Sequence, residues 1–137
     1  MSAKDPLITI ITPTYNRAEF ILQAVESVMG QTYGNFEFLI VDDGSTDNSF
    51  EILESYAEKY PIIQLYKNER NRGINYTQNR CLELVTGDYL HGGSAEDRMF
   101  PRFYEKSMKI FHLRKNKLKW CILNNCFSKF RIVSILP

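Results

Sequence analysis

Apolar residues recur along this chain in two rhythms. Leu7 to Thr12 is a short, almost wholly apolar and β-branched run, and Phe36 to Val41 repeats the type. Both suit strands buried on two faces. Ile62 to Tyr66 and Tyr89 to Leu90 are shorter runs of the same kind. Between the first two, Phe20, Ile21, Ala24, Val25 and Val28 fall at helical spacing, with Asn16 placed as N-cap, Glu19 three residues on and Gly30 at the far end. A second helix is expected after Ser45, with Phe50, Leu53, Ala57 and Tyr60 along one face and Pro61 as its stop. A third runs from Ile74 to Thr86 and is closed by Gly87, and a fourth begins at Pro101 and carries Phe103, Tyr104, Met108 and Phe111.

Strands alternating with helices in this order require right-handed crossovers. The expected fold is α/β: an open, mainly parallel, Rossmann-like sheet with helices on both faces. After Phe111 neither period is kept. The chain is therefore divided into an ordered domain over residues 1–111 and a basic, irregular segment over 112–137.

Composition narrows the class. The 137 residues are 44% hydrophobic and 24% charged, which suits a single globular domain and excludes collagen-like and low-complexity chains. No run approaches the roughly 18 apolar residues of a membrane span, and Lys4 and Asp5 stand where a secretory signal would be apolar. The expected location is cytoplasmic. The net charge of +1 conceals an imbalance: residues 1–97 hold 7 Lys/Arg and 15 Asp/Glu, whereas residues 98–137 hold 10 Lys/Arg and only Glu105. The basic end is either a solvated helix and tail or a contact with anionic lipid at the inner face of a membrane, with nucleic acid or with an acidic partner. Cys81, Cys121 and Cys126 form no C-x-x-C pair and are expected to be reduced.

In an open parallel sheet, ligands bind beyond the carboxyl ends of the strands, near the point where strand order reverses. Polar clusters follow three strands: Thr12 to Arg17, Asp42 to Ser45, and Ser94 to Asp97. Strand order 3-2-1-4 would bring all three to one crevice. Each acidic pair has two readings. Asp42-Asp43 is either a turn with helix capping or a hydrogen-bond acceptor for a base or ribose. Glu96-Asp97 is either acid ahead of a helix N-terminus or a carboxylate set that holds Mg²⁺ or Mn²⁺ against a diphosphate. No G-x-G-x-x-G or P-loop motif is present, which argues against dehydrogenase and ATPase chemistry. A phosphoacceptor domain would need an Asp on the third strand, and Ile62 to Tyr66 supplies none. His91 either reaches the crevice or packs.

Five segments in order carry a resemblance: Ile10 to Arg17 (IITPTYNR), Gln31-Thr32-Tyr33, Leu39 to Asp47 (LIVDDGSTD), Asn68 to Gly73 (NERNRG), and Gly87-Asp88-Tyr89 after the third helix. Over residues 7–111 the chain resembles the nucleotide-binding half of a family 2 glycosyltransferase of the GT-A fold. The resemblance implies that Thr12, Pro13, Tyr15 and Arg17 line a nucleotide-diphosphate sugar, UDP-linked by preference. It implies Asp42 as the base contact with Asp43 beside it, and Arg72 and Asn79 nearby. The family's D-x-D element falls on Ser94 and Glu96, with Asp97 following, so Glu96 is expected at the ribose and metal and Asp97 at the metal. The implied cofactor is Mg²⁺ or Mn²⁺, and the implied acceptor is a hydroxyl of a carbohydrate, lipid or protein-linked group; no nucleic acid partner is expected. The resemblance also implies a carboxylate general base, yet residues 106–137 contain no Asp or Glu. The expectation is a donor half with a missing base and little transfer activity; the alternative is a non-catalytic nucleotide-sugar-binding module.

Overall fold

The computed structural model describes residues 5–114. Trp120, Cys121, Cys126 and most of the basic segment lie outside the described residues. The elements are β1 (Ile8–Thr14), α1 (Ala18–Met29), β2 (Phe36–Asp42), α2 (Ser49–Lys59), β3 (Ile63–Lys67), α3 (Ile74–Glu83), β4 (Tyr89–Gly92) and α4 (Phe103–Arg114). The sheet has the order β3-β2-β1-β4, and every pairing is parallel. Strand order reverses at β1, which is the order that brings the three polar loops together.

The two-residue period of the strands divides the core. Ile8, Ile10, Phe36, Phe38 and Ile40 pack with Ile21, Val25 and Val28 of α1, Leu53 of α2 and Tyr104 of α4. Ile11, Leu39, Val41 and Leu90 form a smaller cluster with Cys81 of α3. Leu53 is fully buried and anchors α2, so truncating it to Ala would cost roughly 3 kcal/mol. His91 takes the packing role: its Nδ1 meets the Tyr104 hydroxyl and its ring contacts Phe103.

Element ends differ from the sequence expectation wherever a distant group intervenes. β1 continues through Pro13 to Thr14, because pairing with β4 stops at Ile11 and Pro13 follows where β2 alone flanks the strand. Asn16 does not cap α1. It holds φ 48°, and Arg17 takes the N-cap position without a side-chain bond. Ser45 does not cap α2, which starts four residues later behind Asn48. α3 ends at Glu83, before Thr86. Gly87 serves close approach and not helix termination: a Cβ there would lie 2.6 Å from Thr9 Oγ1, to which the Gly87 amide donates at 2.8 Å. The last helix begins two residues beyond Pro101 and runs across the boundary drawn at residue 111.

Candidate functional site

Beyond the carboxyl ends of β1, β2 and β4 lies a cleft of about 400 Å³. Its wall includes Pro13, Tyr15 and Arg17 from the β1 loop, Asp43 from the β2 loop, and Ser94 and Glu96 from the β4 loop. The three polar clusters therefore do converge.

The β1 and β2 loops are joined by hydrogen bonds that no local pattern announces. Asn16 Oδ1 accepts the Thr46 amide at 2.8 Å, and the Asn16 amide donates to Ser45 Oγ at 2.9 Å. At the α1 N-terminus the Arg17 amide donates to Ser49 Oγ, and the Ala18 amide to Asp47 Oδ2. These side chains satisfy donors that the helix cannot satisfy itself and place a carboxylate at its positive end. Burial would raise the Asp47 carboxyl, but bonds from Ser49 and the Ala18 amide outweigh it and hold it below the ordinary range.

Asp42 and Asp43 point to different neighbours. Asp42 is 0% exposed, and its two oxygens accept the Ser45 hydroxyl and the Ser45 amide. It is absent from the cleft wall. The cleft-facing carboxylate of the pair is Asp43. Its oxygens accept Asn68 Nδ2 at 2.7 Å and the amides of Arg72 and Gly73 at 2.9 Å each. Burial pushes this carboxyl up, and the bonds from Asn68, Arg72, Thr77 and Gly73 reverse that and leave it lowered. The sequence offered no reason to rank Asp43 over Asp42, because the choice depends on which of them closes the turn onto Ser45.

Gly44, at φ +71°, lets the Arg70–Asn71 backbone lie against it; a Cβ would stand 2.6 Å from the Arg70 carbonyl carbon. Gly73, at φ +89°, precedes α3 and aims its amide at Asp43. Arg80 braces Asn68 through its Oδ1.

The β4 loop is looser. Glu96 is exposed, and its Oε1 lies 2.6 Å from Arg17 Nε. Asp97 turns back, accepting the Ser94 amide at 2.9 Å, and lines a small gap beside Thr12, Ala24 and Val28 instead of the main cleft. Thr12 is buried on that same gap. Arg72 reaches Asp43 only through its amide, while its guanidinium stacks on Tyr76 at 4.4 Å. Asn79 is exposed and outside the wall. Thr14, Asn71, Gly73, Ile74 and Thr77 are wall residues the sequence reading did not name. The NERNRG segment was the available signal for Asn71 and Gly73.

The donor set has one carboxylate, Glu96, open at the β4 end, with Asp97 adjacent and Asp43 beyond β1. Among the described residues no group of three or more His, Cys, Asp or Glu is placed to hold a metal. Such a set does not form an all-protein cage. It fits a divalent cation held by one or two carboxylates together with substrate phosphates.

Residues 9–115 match the family model described as glycosyl transferase family 2. The chain is 39% identical over 103 residues to the uncharacterized glycosyltransferase YibD of Escherichia coli strain K12, covering 75% of this chain and 30% of the relative. Among solved structures, the mannosyltransferase PcManGT from Pyrobaculum calidifontis, in complex with GDP-Man and Mn²⁺, superposes with TM-score 0.65 at 28% identity. The match covers 70% of this chain and 29% of that one. S. aureus TarS 1-349 in complex with UDP gives TM-score 0.73 at 24% identity over 79% of this chain and 32% of that one, a likeness of fold alone. The chain spans about a third of the length of the relatives it matches.

Proposed function

The chain belongs to glycosyl transferase family 2, and from that premise we propose that its cleft binds a nucleotide-diphosphate sugar, UDP-linked, as donor for glycosyl transfer to an acceptor hydroxyl. One observation carries the reading: Asp43 and Glu96 flank the β1 loop in the wall of a single cleft at the reversal of strand order.

Each carboxylate suits one part of the donor. Asp43, kept ionised by bonds from Asn68, Thr77 and the Arg72 and Gly73 amides, lines the cleft and would accept a base N–H by giving up one of these donors. Tyr15 offers a partly exposed ring beside Pro13 for the nucleoside. Arg17 presents a guanidinium to the diphosphate. Glu96, with Asp97 next to it, would hold Mg²⁺ or Mn²⁺; when bound, the cation neutralises charge on the leaving diphosphate. In the transfer, the acceptor oxygen bonds to the anomeric carbon, the bond from that carbon to the phosphate oxygen breaks, and the acceptor's proton passes to a base. No carboxylate between residues 106 and 137 can take it. Glu105 is held by Thr32, Arg102 and Lys109 outside the cleft.

The second reading is a nucleotide-sugar-binding unit without turnover in these 137 residues. Calorimetric titration with UDP, GDP and CDP, with and without Mn²⁺, tests the common part. UDP is expected to bind with Mn²⁺ and weakly without it, and equal binding in both conditions overturns the site. Release of labelled sugar against a panel of acceptors separates the two readings. A rate of ~1 s⁻¹ would show that a base is present in this chain.

A further inference from the structure

Resting on the reading of Glu96 as the carboxylate that meets the cation, we propose that Arg17 is a latch on it. The nucleotide-free protein takes up divalent metal poorly, and the diphosphate opens the site by drawing Arg17 away. Arg17 Nε stands 2.6 Å from Glu96 Oε1, across the cleft from the β1 loop to the β4 loop. The two side chains are 46% and 51% exposed. An ion pair so open to water contributes little to stability and exchanges partners readily.

The backbone beneath the latch is fixed. The Arg17 amide donates to Ser49 Oγ at 2.9 Å, and its carbonyl accepts the Phe20 and Ile21 amides at 2.9 Å each. Only the side chain needs to swing. Its Nη1 donates to the carbonyls of Tyr15 and Asn16 at 3.3 and 3.1 Å, which tether it to the β1 loop.

A cation approaching Glu96 alone finds one oxygen already engaged and a positive charge beside it. A diphosphate alters both conditions. Its oxygens match the planar donor fork of guanidinium, so Arg17 has a better partner. Glu96 is then left uncompensated next to phosphate oxygens, which is the ligand combination a hard divalent cation takes. Metal and nucleotide therefore favour each other, and linkage requires the same factor from either side.

The test is Mn²⁺ binding to the 137-residue chain, read from the electron paramagnetic resonance signal of free Mn²⁺ with and without UDP, for wild type, Arg17→Gln and Glu96→Gln. Arg17→Gln keeps the backbone cap and removes the charge. It is expected to bind Mn²⁺ alone about fivefold more tightly than wild type, and the enhancement by UDP should shrink by a similar factor. If Arg17→Gln binds Mn²⁺ no better, while Glu96→Gln still weakens Mn²⁺ binding in the presence of UDP, the latch is overturned and the metal reading stands. If Glu96→Gln leaves Mn²⁺ binding with UDP unchanged, the metal reading fails and the latch falls with it.

Discussion

Asp42-Asp43 and Glu96-Asp97 follow β2 and β4, the two strands that flank β1, and look alike in the sequence, but the chain treats them differently. Both members of the first pair are buried, at 0% and 4% exposure, and every oxygen of the pair accepts hydrogen bonds from the fold. Asp42 ties its own loop to Ser45 and so to Asn16; Asp43 ties the segment before α3. In the second pair Asp97 accepts one amide, and Glu96 meets only an exposed arginine. A buried carboxylate must have its hydrogen bonds supplied by the fold, so it becomes an organiser of backbone. An exposed one keeps its lone pairs open, whereas Asp43, though on the cleft wall, meets a ligand only with its oxygens already engaged. The same residue type at equivalent places can thus be part of the wall or part of the contents.

The largest effect that would break this contrast belongs to Asp43. Asp43→Ala strands the Arg72 amide and leaves Asn68 Nδ2 with Thr77 Oγ1 alone and the Gly73 amide with Asn71 Oδ1 alone, and urea unfolding should show a loss of about 2 to 3 kcal/mol. A loss under 0.5 kcal/mol would mean the loop does not depend on it. Asp42→Ala removes only the Ser45 turn and should cost about 1 to 2 kcal/mol. By calorimetry with Mn²⁺ present, UDP affinity of the folded variant should stay within about threefold of wild type. A drop as large as that of Asp43→Ala would restore Asp42 as the base contact.

How much of this was legible in the sequence depends on how local the cause is. The parallel α/β sheet followed from apolar runs and alternation, because burial on two faces leaves a compositional trace; the convergence of three loops was conditional on an order of strands that the pattern does not itself fix. The caps did not follow. Asn16 has the right residue type for an N-cap, yet its side-chain Oδ1 is claimed by the Thr46 amide thirty residues on. Gly87 answers to Thr9, far along the chain, while Ser45 is held by Asp42 three residues before it as well as by the distant Asn16 amide. Of the acidic residues, the type and place were readable and the direction of the side chain was not.

Glu96→Gln sharpens the other half of the contrast. An exposed member of the second pair should leave unfolding free energy within about 0.5 kcal/mol of wild type while weakening Mn²⁺-dependent UDP binding about tenfold. Destabilisation with unchanged binding would make the β4 loop structural as well. The smallest expected signal is in acid. The Asp43 carboxyl is lowered from its model-compound value of 3.8. Its stabilising contribution is therefore fully present above pH ~4 and is lost as pH falls through the lower folded value. Stability curves of wild type and Asp43→Ala should converge below pH ~4, and parallel curves down to pH 2 would show that the carboxylate form contributes nothing.

Gly44 carries a consequence for engineering. Because the backbone at residues 70 and 71 rests where a side chain would otherwise be, and Asp43 holds the following amides, residues 42–49 and 68–73 form one piece of masonry built from two courses. A chimera that imports only one course from a relative of different donor preference would leave a glycine facing the wrong backbone, or an aspartate facing none. Exchanging both together keeps the joint, which makes the pair the smallest piece of this wall that can be moved intact.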